Sequence, residues 1–172
     1  IQKHTPSIIF LASPNNPTAN RLDVGVLAEI CSASPGIVVL DEAYYRFSGE
    51  TRVKDVTKIE NLVVMHTLSK IGLAGLRIGA IFGAREWIDL LNRVRMPYNV
   101  GVLSQAAGIF ALKHEKEFSK QIDLLIQSRE NLYKELLSVP EIKVWPSKTN
   151  FLLIRLPYDS VDNVFCEMKN NG

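Results

Sequence analysis

An α/β fold, with a sheet covered by helices in three layers and part of a small α+β domain after it, is what the sequence predicts. Three observations carry that expectation. Four short apolar runs, at 8–12, 37–40, 62–65 and 78–83, lack alternation, as strands buried on both faces should. Helical periodicity lies between and after them, which implies a sheet covered by helices. Past Ala84 the pattern turns helical, then closes on two more strand-like runs and a last amphipathic stretch.

The first run, Ile8-Ile9-Phe10-Leu11-Ala12, stops at Ser13-Pro14-Asn15-Asn16-Pro17, which is dense in turn residues. From 23 to 34, Val24, Leu27, Ala28 and Cys31 form a helical stripe. The second run ends at Asp41, and the third passes into His66-Thr67-Leu68-Ser69-Lys70. Arg77 stands immediately before the fourth. Trp87, Leu90, Leu91 and Val94 recur at helical spacing over 86–95, with Pro97 beyond, and 102–114 is small and apolar. A long helix is expected over 117–137, with Phe118, Ile122, Leu125, Ile126, Leu132, Leu136 and Leu137 on one side and charges on the other. The segments 144–146 and 151–156 read as strands. A final helix over 160–170 should turn Val161, Val164, Phe165 and Met168 inward. The domain division that follows is 1–116 for part of a large domain, 117–138 for a bridging helix and 139–172 for part of a small one.

Bulk properties set outer limits. With 172 residues, 47% apolar and 22% charged, the chain can bury a core without disulfides or metals. A formal net charge of +2 gives no argument for nucleic acid or a membrane surface. No window reaches the roughly 18 uninterrupted apolar residues of a membrane span. Cys31 and Cys166 have neither pairing nor metal-ligand spacing, so no metal is expected and a reducing compartment, the cytoplasm, fits. The opening at Ile1, close to a core strand, and the stop at Asn170-Asn171-Gly172, worded like a helix C-cap, make a fragment the expectation.

Ligands of open α/β sheets gather outside the carboxyl ends of the strands. Here those ends offer Asn15-Asn16-Pro17-Thr18, Asp41-Glu42-Ala43-Tyr44 and Thr67-Leu68-Ser69-Lys70, with Arg77 nearby. Taken singly, each is ordinary: a surface lysine, a turn-capping acid, a turn formula. His66 and His114 read as structural, and the two cysteines as small core residues. Jointly the clusters supply an amine, an acid, a phenol, an amide, a hydroxyl and a guanidinium.

Ser-Pro-Asn-Asn-Pro-Thr, Asp-Glu-Ala-Tyr and Ser-Lys followed by Ala-Gly-Leu-Arg-Ile-Gly, in this order, resemble the fold-type I aminotransferases. Their wording is most similar to the histidinol-phosphate aminotransferase family. The resemblance covers nearly the whole chain, and it implies pyridoxal 5'-phosphate as cofactor. On it, Lys70 is the catalytic residue, holding the cofactor as a Schiff base and moving protons. Asp41 pairs with the pyridinium nitrogen, Tyr44 and Asn16 hydrogen-bond the ring's phenolate oxygen, and Ser69 and Arg77 hold the phosphate.

The implied activity is transfer of an amino group between an amino acid and a 2-oxo acid, of the histidinol-phosphate and glutamate type, in a cytoplasmic homodimer of histidine biosynthesis. A related decarboxylase or lyase, or an inactive truncated domain, are the other readings. Ala19 stands where the family has glycine, and the stretch from Lys70 to Arg77 is one residue shorter than the commonest family form. The family's substrate-carboxylate arginine is expected beyond Gly172, and its ring-stacking aromatic and first phosphate-binding turn before Ile1. The fragment alone is therefore expected to be poorly active.

Overall fold

The computed structural model describes residues 1, 3–157 and 161–171. Strands β1 (Ile8–Ala12), β2 (Ile37–Asp41), β3 (Leu62–Thr67) and β4 (Gly79–Phe82) form one sheet in that spatial order. The first three are parallel, with Ile8 opposite Ile37 and Val38 opposite Leu62. β4 runs antiparallel to β3, Thr67 facing Gly79 and Val64 facing Phe82. Its direction follows from the connection: residues 68–78 hold only two short 3-10 turns, Ser69–Ile71 and Ala74–Leu76. A parallel return needs a crossover of a dozen or more residues, usually a helix.

Helix α1 (Val24–Ala33) makes the first crossover. Asp23 caps it, its carboxylate accepting from the Gly25 and Val26 amides at 2.8 and 3.2 Å. Leu27 and Cys31 then meet Val38, Leu40, Leu62 and Val64 in the main core. Burial there pushes the Cys31 thiol pKa up. Asn61 Nδ2 donates to the carbonyls of Cys31 and Gly36 at 2.9 and 3.0 Å, tying the helix end to the start of β2. The second crossover carries α2 (Tyr45–Ser48) and a 3-10 turn, Val53–Thr57.

Burial on both faces holds for the centres of β2 and β3 but not for β1 or β4. Phe10 is 72% exposed, and Ile8 and Ile81 are about half exposed. α1 covers the face bearing Ile9, Leu11, Val38 and Leu40, whereas no helix among the described residues covers Ile8 and Phe10. The helical layering is therefore partial.

Beyond the sheet come α3 (Arg85–Val94), α4 (Val102–Lys113) and α5 (Glu115–Leu137). Trp87 Nε1 in α3 donates to the Glu60 carbonyl at 2.8 Å. On α5, Ile122 packs with Tyr44 and Phe47, with Ile126 and Phe151 at the edge of that cluster. Leu125, Leu132 and Leu137, expected on the apolar side, are about half exposed or more. A two-stranded antiparallel sheet, β5 (Lys143–Val144) with β6 (Ile154–Arg155), and α6 (Val161–Asn171) complete the chain.

β6 is much shorter than the apolar run 151–156. Thr149 Oγ1 bonds both the amide and the carbonyl of Phe151, which turns that residue towards Tyr44 instead of into a ladder. The expected inward face of α6 also differs: Phe165 and Met168 are mostly exposed and line an open groove with Ile154 and Leu156. Cys166 is exposed rather than a core residue. Ser160 and Gly172, expected at the start of that helix and at the final cap, lie outside the described residues. No described helix is long and apolar enough to cross a membrane.

Candidate cofactor site

The turn after β1 is built from its own polar side chains. Asn15 Nδ2 donates to Thr18 Oγ1 at 2.7 Å, and Thr18 in turn bonds Asn20. The Ala19 amide closes on the Asn15 carbonyl at 2.8 Å. Ala19 itself is fully buried with φ 59°, the left-handed region that suits glycine, so an L-side chain there costs about 1–2 kcal/mol. Its carbonyl accepts from the Lys148 amide at 2.9 Å. The Ser13–Pro14 and Asn16–Pro17 peptide bonds are cis. This arrangement presents Asn16, whose Nδ2 donates to Tyr44 Oη at 3.3 Å.

At the end of β2, Asp41 is half-buried and its Oδ1 accepts the Ala43 amide at 2.9 Å. Tyr44 is buried, with the Phe151 ring edge-on at 5.4 Å and an interplanar angle of 83°. At the end of β3, the half-buried Lys70 places Nζ 5.3 Å from the centroid of the same Tyr44 ring. Tyr44 is thus the hub on which the three strand ends meet. Asn16 touches its hydroxyl, Lys70 its face and Phe151 its other contact surface.

Ser69 and Arg77 are held by local partners instead. Thr67 Oγ1 donates to Ser69 Oγ at 2.9 Å and accepts the Ser69 amide at 3.0 Å. Arg77 ends the Ala74–Leu76 turn in a left-handed conformation, φ 57°, and is exposed. Its guanidinium folds back onto the Ala74 carbonyl at 3.4 Å and touches none of the other candidate residues. A charge beside an apolar run is tolerated here because the segment is at the surface.

Two features escaped the sequence. Phe151 carried no local signal, since it opens an ordinary apolar run. Glu42 is 3% exposed and paired with His66 at 2.9 Å, far from a simple turn cap. A charged residue placed between Asp41 and Tyr44 was the one available hint. Among the described residues no group of His, Cys, Asp and Glu is arranged to hold a metal ion.

The strand ends of this open α/β sheet bring together an amine, a phenol and an amide, with the Asp41 carboxylate at the end of the same strand as the phenol, in the region where such sheets bind ligands. The chain belongs to the aminotransferase class I and II family, which matches residues 1–168. It is 42% identical over its full length to histidinol-phosphate aminotransferase 2 of Nitrosococcus oceani, and 43% to histidinol-phosphate aminotransferase of Chromobacterium violaceum. It covers 48% of each, so the chain spans about half the length of these relatives.

Among solved structures it resembles histidinol-phosphate aminotransferase from Sinorhizobium meliloti in complex with pyridoxal-5'-phosphate. That match has a TM-score of 0.83 at 23% identity, over 96% of this chain and 48% of that one. The L-threonine-O-3-phosphate decarboxylase of Porphyromonas gingivalis matches at 0.76 and 28%, over 87% and 47%.

Proposed function

We propose that the protein to which this chain belongs is a pyridoxal-phosphate-dependent aminotransferase that moves an amino group between an amino acid and a 2-oxo acid. The histidinol-phosphate and glutamate pair is the substrate reading. The single observation that carries it is the meeting of Asn16, Tyr44 and Lys70 at one ring, in a chain whose 42%-identical relative bears that name.

The donor set fits the cofactor. Lys70 Nζ is the attachment amine and the group that carries the substrate's α-proton. Asp41, with Oδ1 occupied by the Ala43 amide, offers Oδ2 to the protonated ring nitrogen. Asn16 and Tyr44 supply an amide and a phenol for the ring oxygen, and their mutual bond at 3.3 Å orients both. The Ser69 hydroxyl and the Arg77 guanidinium are phosphate donors, Arg77 after leaving the Ala74 carbonyl. Bound there, pyridoxal phosphate would supply the electron sink for the bond broken at the substrate's α-carbon.

The exposed apolar side chains of Tyr98, Val102, Leu103 and Phe110 support a homodimer, since several large apolar side chains left in water mark a surface that another chain covers. Two free cysteines support a reducing, cytoplasmic setting. The division at 1–116, 117–138 and 139–172 is proposed with it. α5 supports this as the bridge, contacting α2 on one side and the Thr149 carbonyl on the other.

A second reading, a decarboxylase using the same cofactor, is favoured by the 28% identity to the phosphothreonine decarboxylase. The test uses full-length protein with histidinol phosphate and 2-oxoglutarate, and separately phosphothreonine. Glutamate formation supports the first reading, and carbon dioxide release without amino transfer replaces it with the second. Failure of borohydride to trap cofactor on Lys70 sinks both.

A further inference from the structure

Between Asp41 and Tyr44 sits a carboxylate for which the proposed site has no use. Glu42 is buried and fully engaged: Oε1 accepts the Arg52 amide at 2.8 Å, and Oε2 accepts the Thr51 hydroxyl at 2.6 Å and meets His66 Nε2 at 2.9 Å. His66 is fixed on both sides of its ring. Tyr45 stacks on it at 3.8 Å with an interplanar angle of 9°, and Phe82 meets it edge-on at 5.1 Å. A buried carboxylate costs several kcal/mol in lost hydration unless each oxygen is partnered, so this one is held by a complete shell of donors.

Its place in the sheet gives the pair a role. The β2–β3 ladder ends with Asp41 opposite Met65, and the Glu42 amide donates to the Met65 carbonyl at 2.9 Å. Past that point the two chains part, one to Tyr44 and the other to Lys70. The contact between Glu42 and His66 is the next rung, made by side chains where the backbone rungs run out. It joins the segment carrying Asp41 and Tyr44 to the strand whose continuation carries Lys70. Charge-assisted hydrogen bonds are short and directional, so such a rung fixes spacing as well as contact.

We propose that Glu42, acting through His66, is a positioning residue for the reaction, setting the distance between the ring-binding residues Asp41 and Tyr44 and the amine of Lys70. The proposal rests on the aminotransferase reading above. Misplacement of a reacting group by about 1 Å can cost on the order of 100-fold in rate, which is the scale available to such a residue.

The experiment compares full-length holoenzyme with His66→Leu, His66→Gln and Glu42→Ala, measuring kcat per bound cofactor, KM for the amino donor, the visible absorbance and Tm. Wild-type protein is first shown to trap cofactor on Lys70 with borohydride; failure at that step overturns the function and not this rung. Given a competent wild type, His66→Leu keeps apolar volume but removes the rung. It should lower kcat per bound cofactor by about 10- to 100-fold with KM changed less than about 3-fold, and shift the absorbance maximum. His66→Gln restores a donor to Glu42 and should recover kcat to within about 3-fold of wild type.

Glu42→Ala strands the Thr51, Arg52 and His66 donors and should follow His66→Leu where it folds; where it does not, the His66 pair decides. Wild-type kcat per bound cofactor and an unmoved absorbance in His66→Leu, with only Tm lowered, would show a purely structural contact and overturn the proposal.

Discussion

Residues 41–44 and residues 68–77 both carry proposed cofactor contacts, and they are built in opposite ways. In the first, Glu42 and Tyr44 are buried, and Asp41 and Ala43 are joined by a local hydrogen bond. In the second, two 3-10 turns follow one another, Arg77 is exposed in a left-handed conformation, and its guanidinium bonds its own turn. Groups that must meet a flat aromatic ring at set distances gain from being pre-ordered, because their alignment enters the rate directly. A dianionic phosphate brings its own field and can recruit a flexible guanidinium on arrival. Lys70, the proposed attachment amine, lies in the second segment but belongs to the chemistry. That residue apart, the two segments should fail differently when mutated, 41–44 in turnover and the phosphate donors of 68–77 in cofactor retention.

Four substitutions in the full-length protein sharpen that contrast and a fifth, outside both segments, gives it a baseline, from the largest effect down. Lys70→Ala should abolish the borohydride-sensitive absorbance and all measurable turnover; peptide mapping that places the label on another lysine refutes the assignment. Asp41→Asn should retain cofactor while turnover falls on the order of 1000-fold, since charge stabilisation at the ring nitrogen is lost. A variant with near-normal kcat would remove Asp41 from the site.

Arg77→Ala should do the reverse. The cofactor's dissociation constant, measured by equilibrium dialysis, should rise by about 10- to 100-fold, the worth of a charged hydrogen bond, with kcat at saturation nearly unchanged. A large fall in kcat at saturating cofactor would break the comparison between the two segments.

Tyr44→Phe removes the hydroxyl that Asn16 bonds but keeps the ring packed on Phe151. It should cost about 1 kcal/mol in denaturant unfolding and a moderate, roughly 10-fold loss in kcat. Stability unchanged to within error would mean that the bond at 3.3 Å contributes nothing.

The smallest effect belongs to Glu115, which lies outside both segments and joins α5 to α2. Ser119 and then Arg46 hold its carboxyl below the ordinary value of 4.5. A depressed folded pKa contributes stability that is present above 4.5 and lost as pH falls through the folded value. Glu115→Gln should therefore lower Tm slightly at neutral pH and leave it unchanged in strong acid, where the wild-type carboxyl is protonated too. The acid limb of the Tm-against-pH profile flattens, and the loss is small because Glu115 is exposed and screened. An effect larger in acid than at pH 7 would reverse the sign and discard this account.

The strands, their order along the chain and the residues gathered at their carboxyl ends could be read directly, because each depends on neighbours a few positions away. Apolar runs ended by Asp41 or by Ser13-Pro14 are strand-and-turn chemistry, and Asp23 before Val24 is a cap in either setting. The Asn16, Asp41, Tyr44 and Lys70 motifs were visible for the same reason, as short stretches with distinctive wording.

Contacts between distant positions were a different matter. The direction of β4 depended on what the 68–78 connection could span, and the exposure of Phe10 and Phe165 on which elements lay opposite them. Phe151 reached Tyr44 across more than 100 residues, and Glu42 found His66 only after β2 and β3 had paired. Burial and partnership are properties of the assembled neighbourhood, where a carboxylate is costly or secure according to donors that sequence spacing does not reveal. Local pattern decided which groups stood at the strand ends, and packing decided which were held in place and by what.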